Sequence, residues 1–152
     1  MQNYKIILTF APKLKVNMNY LRHLATKYPI TTTLIIIIWI LCLIPAFPET
    51  PLDDIDLIDK WTHIAMYTGT FGIMWIEYLR KNDTYNRKKM LWLGIVAPIL
   101  MGGLIEILQA NCTGGRRSGE WLDFFADAIG VIISAIFGIL LVWYHAKART
   151  DS

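Results

Sequence analysis

Hydrophobic residues along the chain are concentrated in four blocks, which short charged stretches separate from one another. Each block has roughly the 17–25 residues that a helix needs to cross the hydrocarbon core of a bilayer. Backbone groups inside a bilayer must form their hydrogen bonds within the spanning element, and a single segment can do so only as a helix. The pattern therefore predicts membrane-spanning helices at residues 30–47, 61–79, 90–108 and 122–144.

The connections between these blocks are short, which favours helices that run antiparallel to their neighbours. We therefore expect an all-α fold, an integral membrane antiparallel four-helix bundle over residues 30–144. Residues 1–29 are interpreted as a basic N-terminal tail with an amphipathic segment suited to lie on the membrane, and residues 145–152 as a C-terminal tail. Pro98 lies in the middle of the third block and is expected to bend that helix.

The composition agrees with a membrane protein, because 55% of the residues are hydrophobic, against about 45–50% in a typical soluble domain. Lys and Arg residues are not interleaved with aromatic residues in a basic patch, so no nucleic-acid binding is expected. Cys42 and Cys112 are isolated and form neither a zinc motif nor a disulfide framework. No signal peptide is predicted in residues 1–29, and both Met1 and Met18 are compatible with the start of translation.

The placement of positive charge predicts the orientation, because short loops rich in Lys and Arg stay in the cytoplasm. Most of the 15 Lys and Arg residues lie in the N-terminal tail, in the stretch 80–89 and in the C-terminal tail. The stretches 48–60 and 109–121 hold only Lys60, Arg116 and Arg117. We therefore expect both termini and the 80–89 stretch to be cytoplasmic, and the other two loops to face outward.

Polar residues inside spanning helices are costly, and here they occur at helical spacing near one end of three segments. Residues four apart lie on one face of a helix, so their side chains can converge. At a rise of about 1.5 Å per residue, Asp127 lies only about 8 Å below the start of its helix. With the predicted orientation, these groups all lie at the outer ends of their helices and form what we call the polar cup. Its residues are Asp59, His63, Tyr67, Glu106, Gln109, Asp123 and Asp127.

The convergence of several ionisable groups favours a functional site, although a single intramembrane acid could simply bond to a neighbouring helix. His63 and Glu106 are the candidate catalytic residues, because each can transfer a proton. Arg117 is expected to hold an anion, while Asp123 and Asp127 orient the arginine or bind a cation. The full set of candidate ligand-binding residues is Asp59, Lys60, Tyr67, Gln109, Arg116, Arg117, Asp123 and Asp127.

A metal site is the less favoured interpretation of the same residues. Zinc usually takes more His or Cys ligands than the single imidazole of His63. Mg²⁺ or Ca²⁺ would suit the carboxylates better, but the neighbouring arginines indicate paired acids or a bound anion instead. We therefore predict no cofactor, with a divalent cation as the alternative.

Two other groups of residues have structural interpretations. Gly130, Ser134 and Gly138 share one face of the last helix and predict a seam where two helix backbones approach closely. Glu77, near the cytoplasmic end of its segment, is expected to extend toward the basic residues that follow it.

The spacing of the polar residues resembles that of the VanZ-like family of small bacterial membrane proteins. Three motifs carry the resemblance: D-K-x-x-H-x-x-x-Y over residues 59–67, I-E-x-x-Q over residues 105–109 and R-x5-D-x6-G over residues 117–130. Together they extend over roughly residues 55–140, and the combined spacing is specific although each motif alone is weak. The chain departs from the family pattern at Asp127, where the family usually has Asn, and at residues 114–117, where Gly-Gly-Arg-Arg replaces Pro-Gly-Arg.

The resemblance implies a location in the bacterial inner membrane and a link to the cell envelope. The family is named for its association with resistance to teicoplanin, a glycopeptide that acts on cell-wall precursors outside the membrane. Glycopeptide tolerance is therefore an expected phenotype, and it agrees with a site on the outer face.

From the residues and the resemblance together, we expect a protein that binds or modifies an anionic envelope component, such as a lipid-linked precursor or a phospholipid head group. The rival interpretation is a non-enzymatic accessory subunit of a larger membrane complex, in which the polar cup holds the helices together. A small transporter is less favoured, because the cytoplasmic half of the bundle has few polar groups, mainly Glu77 and Thr70. Membrane lipids are the expected partners, and the sequence leaves open whether the protein is an enzyme.

Overall fold

The computed structural model describes residues 18–44, 57–112 and 120–150 of the chain. Of these residues, 92% lie in helices and none lies in a strand, which confirms the all-α prediction for the described part. The predicted segment 30–47 extends three residues past the first described range. The elements are α1 (Met18–Lys27), α2 (Pro29–Leu43), α3 (Ile58–Lys81), α4 (Arg87–Leu91), a π-helical turn (Trp92–Val96), α5 (Ala97–Cys112) and α6 (Trp121–Thr150).

Proline and asparagine residues explain several features of these helices. Pro29 occupies the first turn of α2, where backbone N–H groups have no carbonyl partner within the helix. The N–H group that proline lacks is therefore not needed there. Asn86 caps α4, because its side-chain oxygen accepts a hydrogen bond from the Lys89 N–H at 3.0 Å. Pro98 comes directly after the π-helical turn and its neighbour Ala97, and such a turn accommodates a residue that cannot donate to the helix. The bend expected at Pro98 stays a prediction, and the local irregularity observed beside it is the π-helical turn.

Two helical segments are long and apolar enough to cross a membrane, Arg87–Asn111 and Trp121–Ala148. A third crossing is possible if α1 and α2 count as one span, although they meet at an angle of 109°. Within the described ranges no other helix meets the same criteria, and α3 is too polar to do so despite its 24 residues. The chain is therefore all-helical with two to three candidate membrane-spanning helices, as expected of a membrane protein.

The largest helix interface joins α3 to α6, and these two helices run side by side in the same direction. The direction follows from two contacts: His63 meets Asp127 near the start of both helices, and Trp75 meets Gly138 farther along. α5 packs against α6 in the opposite direction, because Gly102 lies against Asp127 while Glu106 reaches back to residue 120. α2 completes the core by packing against α3 and α5.

The interface between α3 and α6 contains the predicted seam of small residues. A Cβ atom on Gly130 would lie 2.7 Å from the Ile64 carbonyl oxygen, and one on Gly138 would overlap the indole ring of Trp75. Ser134 is fully buried, and its hydroxyl donates to the Val131 carbonyl at 2.7 Å. The two backbones approach closely only because these positions lack larger side chains, which confirms the predicted seam.

Glu77 has a further partner besides the one that the sequence suggested. Its carboxylate accepts hydrogen bonds from the Thr31 N–H at 2.9 Å and the Thr31 hydroxyl at 2.7 Å. The Lys81 ammonium lies farther away, at 4.0 Å. Glu77 therefore does form the expected ion pair with a following basic residue, Lys81, but its carboxylate is also buried at the N-terminus of α2, where its shorter contacts are to Thr31. A negative charge there also interacts favourably with the helix dipole.

Basic residues gather around this end of the molecule, which we call the basic end. The Lys81 ammonium donates to the Lys27 carbonyl and the Lys27 ammonium to the Asn82 side chain, both at 2.7 Å. His145, near the end of α6, lines the same small cavity as Asn82. The structure thus brings the start of α2, the end of α3 and the end of α6 to one end of the molecule. His63 and Asp127 lie at the other end.

Candidate functional site

Three helices each contribute one ionisable side chain to a buried cluster. His63 comes from α3, Glu106 from α5 and Asp127 from α6, and we call this set the buried triad. The His63 Nδ1 atom lies 2.8 Å from Asp127 Oδ1. The three side chains each offer a nitrogen or oxygen atom within 4.8 Å of the other two. None of the three residues is more than 8% exposed, so the triad lies inside the helix bundle.

Three oxygens in and beside the buried triad have no hydrogen-bond partner among the described residues. They are Glu106 Oε1, Asp127 Oδ2 and the hydroxyl oxygen of Tyr67; the last two lie near each other and interact, but without a hydrogen bond shorter than 3.5 Å. Tyr67 is fully buried. A buried polar atom without a partner costs about 1–3 kcal/mol, and native structures rarely leave several together. The arrangement is therefore suited to receive a further group.

Glycines on the neighbouring helices make room for the triad. A Cβ atom on Gly102 would lie 2.7 Å from Asp127 Oδ2, and one on Gly130 would lie 2.8 Å from the Tyr67 Cβ atom. Any larger residue at position 102 would therefore push the Asp127 carboxylate away from its place. The α5 backbone can approach the triad only because residue 102 is glycine.

A second polar cluster lies at the very start of α3 and α6, and we call it the Lys60 cluster. The Lys60 ammonium lies 2.6 Å from Asp59, 2.6 Å from Glu120 and 2.7 Å from Asp123. The ammonium donates hydrogen bonds to Asp59 and Glu120 and forms an ion pair with Asp123. Lys60 was expected to bind a ligand, but in this arrangement its charge is engaged by three carboxylates.

The charges of the Lys60 cluster stabilise one another. Burial opposes the charge on Lys60, but the hydrogen bonds to Asp123, Asp59 and Glu120 outweigh it and raise the pKa of Lys60 above its usual range. Burial likewise disfavours the charge on Asp59, yet the hydrogen bond from Lys60 keeps the pKa of Asp59 below its usual value. Both residues precede the predicted span 61–79 and lie where water can reach.

The two clusters are joined through the start of α6. The backbone N–H of Glu120 donates to Glu106 Oε2 at 2.9 Å, while the Glu120 side chain accepts from Lys60. Sequence reasoning did not single out Glu120. Its position directly before a helix, where acidic residues are favoured, was the signal that could have identified it.

The other candidate residues are not all part of these clusters. The Gln109 side chain donates to the Cys42 carbonyl at 2.7 Å and so ties α5 to α2 instead. Arg116 and Arg117 lie outside the described residues, so the role predicted for them stays a prediction. The structure therefore brings seven of the candidate residues together, within or beside the two clusters. They are Asp59, Lys60, His63, Tyr67, Glu106, Asp123 and Asp127.

A cavity of about 310 Å³ lies between α5 and α6 and ends at the buried triad. Its walls are mainly apolar, with Glu106 and Glu120 as the two acidic side chains. Ile107 and Trp121 line it, and they are 61% and 81% exposed, so the cavity opens sideways between the helices. A smaller apolar cavity of about 170 Å³ lies elsewhere, between α2, α3 and α5, near Thr31.

The charges described at this end favour cations. Five carboxylates lie in or next to the two clusters, at positions 59, 106, 120, 123 and 127. Among the described Lys and Arg residues, Lys60 alone forms an ion pair with any of them. His63 supplies at most one further positive charge. The buried triad can therefore transfer protons or hold a positive group, and its own side chains do not attract an anion.

Comparisons of the chain with protein-family models, curated proteins and solved structures found no match.

Proposed function

We propose that the protein crosses the bacterial inner membrane four times, through α2, α3, the α4–α5 helix and α6, with both termini in the cytoplasm. α3 is the crossing that composition alone does not support. At about 1.5 Å per residue, its 24 residues extend about 36 Å, which exceeds the roughly 30 Å hydrocarbon core. Its polar residues His63, Thr70 and Glu77 are buried against other helices, so lipid does not contact them.

We propose further that the polar cup faces outward. The basic end contains the residues that the positive-inside rule assigns to the cytoplasm, including Lys27, Lys81 and Lys89. The two clusters lie at the other end of the same helices. This separation of charge supports the antiparallel bundle and its orientation together.

The function we propose is binding or modification of an anionic, lipid-linked component of the cell envelope. One observation carries the proposal: the cavity between α5 and α6 has apolar walls, opens sideways and ends at Glu106. A molecule with an acyl chain and a polar head group fits such a cavity, because the chain contacts the apolar walls while the head group reaches the triad. The connection between α5 and α6 carries Arg116 and Arg117, which would supply positive charge for the head group.

Within this proposal, Glu106 and His63 are the acid–base candidates as long as no metal ion occupies their lone pairs. Glu106 lines the cavity, so it is the triad member that a bound head group meets first. Asp127 accepts or shares a proton with His63 at 2.8 Å and thereby fixes the orientation of the imidazole ring. The resemblance to the VanZ-like family adds the envelope and glycopeptide tolerance as the biological setting.

The rival function, an accessory subunit held together by its polar residues, has one observation in its favour. The Lys60 ammonium contacts three carboxylates, as expected of a structural ion-pair network. The buried triad does not follow that pattern, because no described Lys or Arg forms an ion pair with Glu106 or Asp127. The buried Glu106 Oε1 atom, which also has no hydrogen-bond donor among the described residues, therefore favours the ligand-binding function.

The lipid that copurifies with the protein tests this function. We expect anionic lipid to be retained in detergent by the wild type, and Ile107→Trp to reduce that lipid strongly because it fills the cavity. Leu100→Trp is the matched control, since Leu100 is 64% exposed on the same helix but lies outside the cavity. Lipid extraction and mass spectrometry measure the retained lipid per chain. Equal retention by the two variants would contradict the proposal.

A further inference from the structure

The buried triad has the donor atoms and spacing of a metal site. Ligands at about 2.1 Å from a tetrahedral zinc ion lie about 3.4 Å from one another. The His63 Nδ1 to Asp127 Oδ1 distance is 2.8 Å, and all three donor atoms of the triad lie within 4.8 Å. These separations bracket the value that a bound ion requires. Three different helices supply one ligand each, so the fold itself holds the set together.

The unpartnered oxygens are a second and independent indication of a bound group. Glu106 Oε1 has lone pairs without a donor among the described residues, and the residue is more than nine-tenths buried. Asp127 Oδ2 is buried as well, and its nearest polar neighbour, the Tyr67 hydroxyl, makes no hydrogen bond to it within 3.5 Å. A cation among these oxygens would remove the cost of burying them unsatisfied.

The Lys60 cluster shows how the same molecule compensates a group of acids. There, three carboxylates surround one ammonium nitrogen, which takes the position that a metal ion would occupy. No described Lys or Arg side chain plays that part for Glu106 and Asp127. Among the described residues, His63 is the one cationic group available to the triad, and it can balance only one of these two carboxylates.

We infer that the buried triad binds one divalent transition-metal ion, held by His63 Nδ1 and by a carboxylate oxygen from each of Glu106 and Asp127. One imidazole with two carboxylates suits Zn²⁺ or Mn²⁺. Ca²⁺ needs six or more oxygen ligands, and Mg²⁺ binds mainly through water and carboxylates. Three protein ligands leave a coordination position open, and Glu106 places that position at the end of the cavity.

The ion resolves a conflict between the acidic site and the anionic ligand, and to that extent this inference rests on the proposed function. Glu106 and Asp127 would repel a phosphate group that entered the cavity. A divalent ion bound to both carboxylates attracts the phosphate oxygens instead. The ligand class that this arrangement favours is a lipid whose head group carries a phosphate.

Metal content tests the site directly and does not depend on any activity. The protein, purified in detergent and dialysed separately against Zn²⁺, Mn²⁺, Mg²⁺ and Ca²⁺, is analysed by inductively coupled plasma mass spectrometry. We expect roughly one Zn²⁺ or Mn²⁺ ion per chain, and a loss of affinity of roughly tenfold or more in Glu106→Gln and Asp127→Asn. Asp59→Asn, which removes an acid of the Lys60 cluster, is the control and should keep its ion.

The results separate the possible failures. A wild type without bound ion, or an ion lost in Asp59→Asn but kept in Asp127→Asn, would overturn the inference. Each variant is also melted without metal, and Glu106→Gln, which keeps the shape of the side chain, serves if Asp127→Asn does not fold. Bound metal without any retained lipid would leave the metal site standing and contradict the proposed function. Lipid retention that is unchanged by a chelator would contradict the bridging role alone.

Discussion

Lys60 is the residue on which the pairing at the start of α3 and α6 depends. Lys60→Met leaves Asp59, Glu120 and Asp123 facing one another without a cation, and Asp123 is only 8% exposed. Exposed pairs contribute about 0–1 kcal/mol and buried ones more, so we expect a loss of about 2 kcal/mol at neutral pH. Thermal melting in detergent measures it, and Lys88→Met, at an exposed position of α4, is the control.

The pH dependence of the same variant follows from the two shifted groups. Because the pKa of Lys60 is raised, its contribution to the free energy of unfolding is complete below its unfolded pKa of about 10.4. That contribution is lost as the pH rises through the folded pKa of Lys60. Because the pKa of Asp59 is lowered, its contribution to the free energy of unfolding is present above its unfolded pKa of about 3.9. That contribution is lost as the pH falls through the folded pKa of Asp59. The difference in stability between wild type and Lys60→Met should therefore persist through neutral pH and narrow as the pH falls below about 3.9. A difference that does not narrow at low pH would mean that charge pairing does not cause the loss.

Part of the site could be predicted from the sequence, and part of it could not. Spacing along each helix placed His63, Glu106 and Asp127 at one depth, and the structure brings them together. Which atoms pair across helices depends on how the helices rotate against one another, and spacing carries no information about that. The pairing of His63 with Asp127 and the part of Glu120 in the Lys60 cluster were therefore not predicted.

At the scale of helices, the contact between α3 and α6 depends on residues that lack side-chain volume. Gly138→Ala places a methyl group into the indole ring of Trp75, whereas a Cβ atom on Gly72 meets its nearest neighbour, Phe137, at an ordinary 3.9 Å. Alanine favours a helix over glycine by about 0.5–1 kcal/mol, so Gly72→Ala should be neutral or stabilising. Gly138→Ala should cost about 1–3 kcal/mol through overpacking. Folded yield and melting temperature distinguish them, and equal behaviour would mean that the seam does not limit helix approach.

Helix positions were predicted more fully than helix environments. The segments 61–79, 90–108 and 122–144 lie within Ile58–Lys81, within the run from Arg87 to Cys112 and within Trp121–Thr150. The apolar blocks predicted these positions because a helix that is covered by lipid or by other helices has a hydrophobic sequence. It does not record which partner a polar group finds, so Glu77 at the N-terminus of α2 was missed. The bend of 109° between α1 and α2 was missed as well.

For the whole molecule, the opposed placement of the two ends gives the described residues a polarity along the helix axes. At the basic end, Lys27 and Lys89 lie over the rings of Tyr28 and Tyr78, and Lys81 donates a hydrogen bond to the Lys27 carbonyl. The buried triad and the Lys60 cluster lie at the other end of the same helices. The Lys60 cluster carries more acidic than basic groups, so the two ends differ in charge as well as in position. Any test of orientation is therefore also a test of which compartment the site faces.

Cysteine labelling in intact cells tests this orientation. Cys42 is 2% exposed and should not react, so a membrane-impermeant thiol reagent should label the wild type through Cys112, at the end of α5. In Cys112→Ser combined with Thr84→Cys, we expect labelling only after the membrane is permeabilised. Thr84 is exposed, whereas Asn82 hydrogen-bonds to Tyr28, so position 84 takes a cysteine without disturbing the basic end. Labelling of position 84 in intact cells would reverse the orientation and turn the buried triad toward the cytoplasm. A lipid could then enter the cavity only from the cytoplasmic leaflet, and the proposed link to envelope components outside the membrane would fail with the topology.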